Sequence, residues 1–284
     1  MLTIFTIPKA FEGQIGLIQK NAIASWRRLD PTVQIVLFGD SLGTEEVASE
    51  FAATHECAIA CNSFGTPLVS DAFVRARILA RTPLLMYSNT DILYDETILE
   101  AIDAVAKMKK FVLSGRRWDL DVSTNLEQID EQAWRNVFLS RFERGRLHGP
   151  AGMDYFLFPR EMSFDMPAFA VGRVGWDSWL VWSCRRRNVP MIDATNDVVA
   201  IHQNHGYADL PLGYQHMRGP ERDLNLRKAG GLSRMMTLRE SSLELVKGEV
   251  RSPRGMRAIF SFLGKWRVYS WCLAVKRWFQ AEIY

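Results

Sequence analysis

Three short polar runs in this chain carry residue types that can do chemistry, and each follows a stretch with strand character. Asn89-Thr90-Asp91 closes an apolar run at 84–88. An acid at the tip of a buried strand is costly unless it is hydrated or bound to a cation, and a hard divalent ion bridging a carboxylate and phosphates suits it. The same residues also make an ordinary tight turn, with Asp95 capping the helix that follows. Gly175-Trp176-Asp177-Ser178-Trp179 places a carboxylate between two large aromatics. Such rings can wall a sugar or a base while the acid takes a proton or orients a hydroxyl, although Asp177 also reads as a helix cap. Ile201-His202-Gln203-Asn204-His205 holds two histidines three apart, able to converge on one metal or one phosphate. A fourth run, Gly115 to Asp121, is dense in charge. Arg116 and Arg117 there either clamp a diphosphate or pair with Asp119 and Asp121.

Alternating elements must position these runs. Strand character at 2–7, 33–38, near Ala58, 84–88 and 111–114 alternates with helical periodicity at 14–29, 44–54, 71–81 and 95–108. Thr44 and Asp95 serve as expected N-caps. This alternation predicts an α/β fold with an open, mostly parallel sheet, whose ligands bind beyond the carboxyl ends of the strands. Further on, residues 128–146 read as one charged helix, 155–158 as a strand, 175–187 as a Trp-rich helix and 198–201 as a strand.

The chain has 284 residues, 48% hydrophobic and 24% charged, which excludes a disordered or collagen-like polypeptide. Its net charge of +3 is unevenly placed: residues 251–284 hold seven Lys/Arg against one Asp/Glu, so residues 1–250 are net −3. A body with that balance argues against a nucleic-acid partner. Cys57, Cys61, Cys184 and Cys272 form no C-x-x-C pair. Cys57 and Cys61 with His55 read either as metal ligands or as ordinary thiols, and no second ligand pair accompanies them. Few cysteines and no basic leader segment lead to a cytoplasmic expectation. There is no G-x-G-x-x-G after the first strand, no P-loop, no G-x-S-x-G and no H-E-x-x-H.

The order of motifs resembles GT-A-fold glycosyltransferases: Thr6-Ile7-Pro8 after the first strand, Gly39-Asp40 after the second, and a buried strand entering Asn89-Thr90-Asp91. Phe64-Gly65-Thr66-Pro67-Leu68, Ser114-Gly115-Arg116-Arg117 and Gly152-Met153-Asp154-Tyr155-Phe156 look like a bacterial group of such proteins. The resemblance covers about residues 1–230 and implies a GT-A-like catalytic domain at 1–250, with a donor half at about 1–125 and an acceptor half at about 126–230. It implies a nucleotide-diphosphate sugar, with a UDP-sugar as first guess, and Mn²⁺ or Mg²⁺. The family's D-x-D motif reads N-T-D here, so Asp91 carries over as the metal-binding acid and Asn89 takes the weaker position. His202 or His205 would complete the metal site. Thr6, Pro8 and Asp40 would contact the nucleoside, and Arg75, Thr90 and Arg116 the ribose or diphosphate side. Asp177 would be the general base, with Asp154 in reserve, and Trp176 and Trp179 would stack on the acceptor, a glycan or a lipid-linked hydroxyl.

Residues 251–284 form the remaining unit, a basic helical tail with Phe260, Phe262, Trp266, Tyr269, Trp271, Trp278 and Phe279 among its cations. Amphipathic basic helices rich in Trp and Phe lie in the membrane interface, so an anionic membrane surface is the expected partner and peripheral attachment to the inner face of the plasma membrane the expected location. Its longest charge-free stretch, 268–275, is far below the ~20 residues a spanning helix needs. A sugar-nucleotidyltransferase would want a glycine-rich loop after the first strand, where only Gly13 and Gly16 occur. A non-catalytic membrane-surface adaptor is the other alternative.

Overall fold

The structure is a computed structural model and describes residues 1–205 and 219–264. Its main sheet has nine strands: β1 (Leu2–Thr6), β2 (Gln34–Phe38), β3 (Thr54–Glu56), β4 (Leu84–Ser88), β6 (Val112–Ser114), β9 (Tyr155–Pro159), β10 (Met191–Asp193), β12 (Leu243–Val246) and β13 (Glu249–Arg251). Four others, β5 (Ile92–Tyr94), β7 (Trp118–Leu120), β8 (Arg146–Leu147) and β11 (Ala200–Gln203), form a smaller sheet. The large sheet runs β13-β12-β10-β6-β9-β4-β1-β2-β3, with β9 antiparallel to β4 and β6, β13 antiparallel to β12, and every other pair parallel. The expected α/β architecture, a mostly parallel sheet flanked by helices, is therefore present.

Side-chain alternation divides the core. Phe5, Phe38, Leu85, Tyr87, Phe156 and Phe158 point to one face, where α3 (Val69–Leu79) and α7 (Trp176–Arg186) cover them. Helix α8 (Pro220–Ala229) adds Ala229 to the same cluster, and its buried Asn225 accepts the Ala170 N–H at 2.9 Å. Their neighbours Ile4, Leu37, Met86, Tyr155 and Leu157 point to the other face, under α1 (Gly13–Leu29), α2 (Thr44–Glu50) and α4 (Thr97–Val105). Strands buried on both faces thus need nearly continuous apolar sequence. A third cluster of Leu93, Leu120, Trp134, Phe138 and Ile201 packs the small sheet onto α5 (Glu131–Leu139).

Several boundaries differ from expectation. The helix expected at 128–146 is broken into α5, α6 (Arg141–Arg144) and strand β8. Asp130 caps α5 by accepting the Ala133 N–H at 2.7 Å, and the chain leaves α6 at Gly145 in an extended conformation. Helix α2 stops at Glu50, where Ala52 turns the chain with φ 49°, so the strand expected near Ala58 forms at Thr54–Glu56 beside β2. Gly43, with φ 82°, precedes α2 in place of Thr44, whose hydroxyl instead donates to the Ser41 carbonyl. Asp95 lies one residue further out than a cap, accepting from the Thr97 N–H and hydroxyl before α4.

The region expected to be an appendage begins inside the sheet, since Arg251 closes β13. Helix α9 (Met256–Leu263) packs on the short 3-10 turn Leu238–Glu240, with Arg257 paired to Asp193 and the Ser261 carbonyl accepting from Arg185. Its outer side leaves Met256, Ile259 and Phe262 at least half exposed. Trp266, Tyr269, Trp271, Cys272, Trp278 and Phe279 lie outside the described residues. No described helix is long and apolar enough to cross a membrane. Cys57 and Cys61 are exposed free thiols, and Cys184 is a buried one.

Candidate functional site

The carboxyl ends of β1, β2 and β4 lie side by side, which brings four of the sequence-picked positions to one edge. Thr6 ends β1, and its hydroxyl shares a 2.7 Å hydrogen bond with that of Thr90 in the turn after β4. Pro8 follows β1, its carbonyl accepting from the Ser41 hydroxyl at 3.1 Å. Asp40 is exposed just past β2, after Gly39, whose φ of 93° needs a residue without Cβ.

Asp91 sits where β4 hands the chain to β5, and the small sheet delivers the histidines to it. Strand β11 pairs antiparallel with β5, setting His202 opposite Ile92, and parallel with β7, setting His202 beside Asp119. Gln203, the next residue, points the other way. It is fully buried, its amide donating to the Ile18 carbonyl at 2.9 Å and accepting from Asn21 at 3.0 Å. His202 Nε2 and His205 Nε2 lie 3.6 and 3.4 Å from Asp91 Oδ2, and one ligand atom from each of the three residues falls within 4.8 Å of the others. Burial alone would push the Asp91 carboxyl up; the two imidazoles override it and hold the acid well below the ordinary carboxylate range. Burial likewise pulls His202 down, and Asp91 more than reverses this, so its pKa is raised.

The second Asp91 oxygen, Oδ1, is buried with no hydrogen-bond partner among the described residues. A buried, unmatched carboxylate oxygen beside two imidazole nitrogens is a donor set that suits a divalent ion of intermediate hardness such as Mn²⁺. The residues present therefore fit the metal that the sequence resemblance implies. Above Asp91 opens a cavity of about 120 Å³, walled by Lys9, Gln19, Tyr87, Asn89 and Gly172. Another cavity, of about 150 Å³, lies between α1 and α5, where Arg28 spans Trp134 and Glu131; it has no histidine.

Asn89, Arg117 and Asp154 form a locked group beside this cluster. The Asn89 amide donates to Asp154 Oδ1 at 2.6 Å and accepts from the Tyr87 hydroxyl at 3.1 Å, so its side chain anchors Asp154. Arg117 Nη1 takes the other Asp154 oxygen at 2.7 Å, and its Nε takes Asp119 at 2.9 Å. Asp119 in turn holds His148 Nδ1 at 2.8 Å and lies 3.6 Å from His202 Nδ1. Of the two readings of the charged loop, pairing with Asp119 describes Arg117. Arg116 turns away and donates to the His148 and Leu147 carbonyls. Arg75 is likewise engaged, with Asp71 at 2.8 Å and Glu56 at 3.8 Å.

Asp177 lies in the first turn of α7, where its Oδ1 accepts the Ser178 N–H at 2.7 Å. Burial raises its pKa to about 6, the Asp154 charge adding to the rise and the Ser178 N–H opposing it. Its charge also reaches Tyr87 on the cavity wall. Trp176 and Trp179 do not offer free faces. They are 6% and 5% exposed, Trp176 packing edge-on to Tyr87 with ring centres 4.8 Å apart and Trp179 to Phe169 at 5.6 Å. At helical spacing these rings fill the core under the site. Sequence reasoning overlooked His148 and the pairing of Arg117 with Asp154. The two-residue spacing of Arg117 and Asp119, opposite apolar Trp118 and Leu120, was the available signal.

No family model matches this chain, and no curated protein matches it. Among solved structures it is similar to glucosyl-3-phosphoglycerate synthase from Mycobacterium tuberculosis, with TM-score 0.49 and 13% identity over 81% of each chain. A structure of that enzyme in complex with Mn²⁺, UDP and phosphoglyceric acid gives TM-score 0.47 and 12% identity, covering 81% of this chain and 79% of that one. A mannosyltransferase from Pyrobaculum calidifontis in complex with GDP-Man and Mn²⁺ gives TM-score 0.45 and 15% identity, covering 71% of this chain and just 56% of that enzyme's length.

Proposed function

We propose that this chain is a metal-dependent glycosyltransferase that moves a sugar from a nucleotide-diphosphate donor, a UDP-sugar first, to a glycan or lipid-linked hydroxyl. The observation that carries the reading is the convergence of Asp91, His202 and His205 beneath a cavity at the strand ends, with Asp91 Oδ1 buried and unmatched. Asp91, His202 and His205 would hold Mn²⁺ or Mg²⁺, whose chemistry is to offset the negative charge that develops on the donor's diphosphate. Thr6, Pro8 and Asp40, at the same edge, take the nucleoside side. Asp177, with its raised pKa, is the base: it removes the acceptor proton as that oxygen bonds to the anomeric carbon and the sugar–phosphate bond breaks. Asp154, with both oxygens engaged by Asn89 and Arg117, is suited to fixing the shape of this group.

Melting curves with UDP, GDP, CDP and their sugars, each in Mn²⁺, Mg²⁺ or EDTA, test the reading. One nucleotide at about 100 times its Kd should raise the melting temperature by about 5–10 °C in a metal-dependent way, and Asp91→Ala should abolish the shift. No shift with any of them refutes the donor site and favours the adaptor.

The acceptor side of the proposal places the protein on the cytoplasmic face of a membrane. Its support is the outward row Met256, Ile259 and Phe262 on α9, continued in sequence by Lys265, Arg267, Lys276 and Arg277 among aromatics. Because residues 251–264 are tied to the body through Arg251, Arg257 and Ser261, the cut belongs after Gly264. That truncation should release the protein from anionic vesicles and leave nucleotide binding intact; undiminished vesicle binding rejects the anchor.

A further inference from the structure

A diphosphate needs cations, and among the described residues the arginines around this site are already committed. Arg117 holds Asp119 and Asp154, Arg75 holds Asp71, Arg116 caps backbone carbonyls, and Arg173 grips Glu221 at 2.6 Å. Lys9 differs. It stands exposed on the wall of the Asp91 cavity, and its ammonium has no hydrogen bond or ion pair among the described residues. The surrounding cavity wall pulls its pKa down by desolvation, the Asp91 charge opposes that fall and Arg173 adds to it.

Its backbone, in contrast, is fixed. Gln19 is only 3% exposed, and its side chain accepts the Lys9 N–H at 2.7 Å while donating to the carbonyls of Lys9 at 3.0 Å and Ala10 at 3.2 Å. A buried amide that reproduces backbone pairing on both sides of one residue holds the turn after β1 in a single shape. Pro8, immediately before, restricts that turn further. A cation on a fixed stretch of backbone, without a partner among the described residues and lining the same cavity as Asp91 and His205, is an arrangement completed by an anion.

We propose that Lys9 is the diphosphate-binding cation of the cavity whose wall it shares with Asp91, and that Gln19 is the residue that positions it. This rests on the nucleotide-sugar reading for the identity of the anion. The placement also gives Lys9 a part in transfer, since the charge it meets grows as the sugar leaves the phosphate.

Titration calorimetry on the full chain, with UDP, uridine and inorganic pyrophosphate in Mn²⁺, tests it. Lys9→Met should bind UDP and pyrophosphate about 10- to 100-fold more weakly, the cost of a charge-assisted hydrogen bond, with uridine unchanged. Its melting temperature should match wild type, because the ammonium has no partner to lose among the described residues. Lys9→Arg should stay within about three-fold, since the charge is kept. Gln19→Met should weaken UDP several-fold in the wild-type background and add nothing to Lys9→Met; a purely structural glutamine would cost the same in both. Equal affinity of wild type and Lys9→Met for UDP and pyrophosphate overturns the proposal. If wild type takes pyrophosphate but neither UDP nor GDP, the nucleotide-sugar reading fails, and the Lys9→Met comparison on pyrophosphate still decides this one. Binding of none of them defeats both.

Discussion

At pH 8 the Asp177→Asn protein should melt at a higher temperature than wild type and yet cleave donor sugar about 10²- to 10⁴-fold more slowly. The two effects share one cause. The Asp177 carboxyl has a folded-state pKa of about 6, above its ordinary 3.8, because burial penalises its charged form. The folded chain therefore holds this proton more tightly than the unfolded chain. The associated stability is fully present below about pH 4 and is lost as pH rises through about 6. The loss reaches about 3 kcal/mol, because a tenfold difference in proton affinity between the folded and unfolded chains is worth ~1.4 kcal/mol. Asparagine keeps the volume and an oxygen for the Ser178 N–H but carries no charge, so it escapes the penalty. The two proteins should converge in stability near pH 4. Wild-type donor cleavage should climb with pH around an inflection near 6, and the variant should show none. An Asp177→Asn protein no more stable than wild type at pH 8 would mean that the carboxylate is solvated. A variant with undiminished turnover would remove it as the base.

The alternating sheet was legible because its strands obey local rules. The run at 84–88 is apolar on both faces and ends in polar residues, and β4 forms at Leu84–Ser88. The polar run at 89–91 falls beyond the end of β4, whereas the run expected beyond a strand at 201–205 begins inside it: His202 and Gln203 belong to β11 and Asn204-His205 follow it, and the structure brings Asp91, His202 and His205 together. What the sequence hid is the small sheet. Its strands β5, β7 and β8 are two or three residues long, too short to show a period; they form because β11 pairs with β5 and β7 across the chain and β8 pairs with β7. The histidines reach Asp91 only through that pairing. Trp176 and Trp179 were misleading for a related reason: their spacing of three is as good for a core-facing helix stripe as for a sugar platform, and the core holds them. For Arg75 and Arg116, residue type announced a cation but could not announce that Asp71 and backbone carbonyls would take it.

Arg117→Met should cost about 3–5 kcal/mol of folding stability in chemical denaturation, the largest loss expected of any single polar substitution around the site. The guanidinium bridges two carboxylates whose side chains are only 9% and 15% exposed, Asp154 and Asp119, and each would lose its arginine, leaving Asp154 on the neutral Asn89 amide and Asp119 beside His148 and His202. Burial lowers the Arg117 pKa, but Asp154 and Asp119 together raise it above the ordinary arginine range, so the guanidinium stays charged here. The loss should propagate. Asp154 also accepts the Asn89 amide, and its backbone carbonyl accepts the Asn89 N–H at 2.8 Å, so an unbalanced Asp154 disturbs the turn that carries Asp91. Metal-dependent nucleotide binding should therefore weaken along with stability. Adding Asp154→Asn to Arg117→Met removes one orphaned charge and should restore part of the stability, whereas two independent sites would give additive losses. A single-variant loss below about 1 kcal/mol would mean that water already screens the group as it does a surface ion pair. In that case the turn at Asn89-Thr90-Asp91 would be held by the sheet alone, and the arginine would be free to meet a ligand instead.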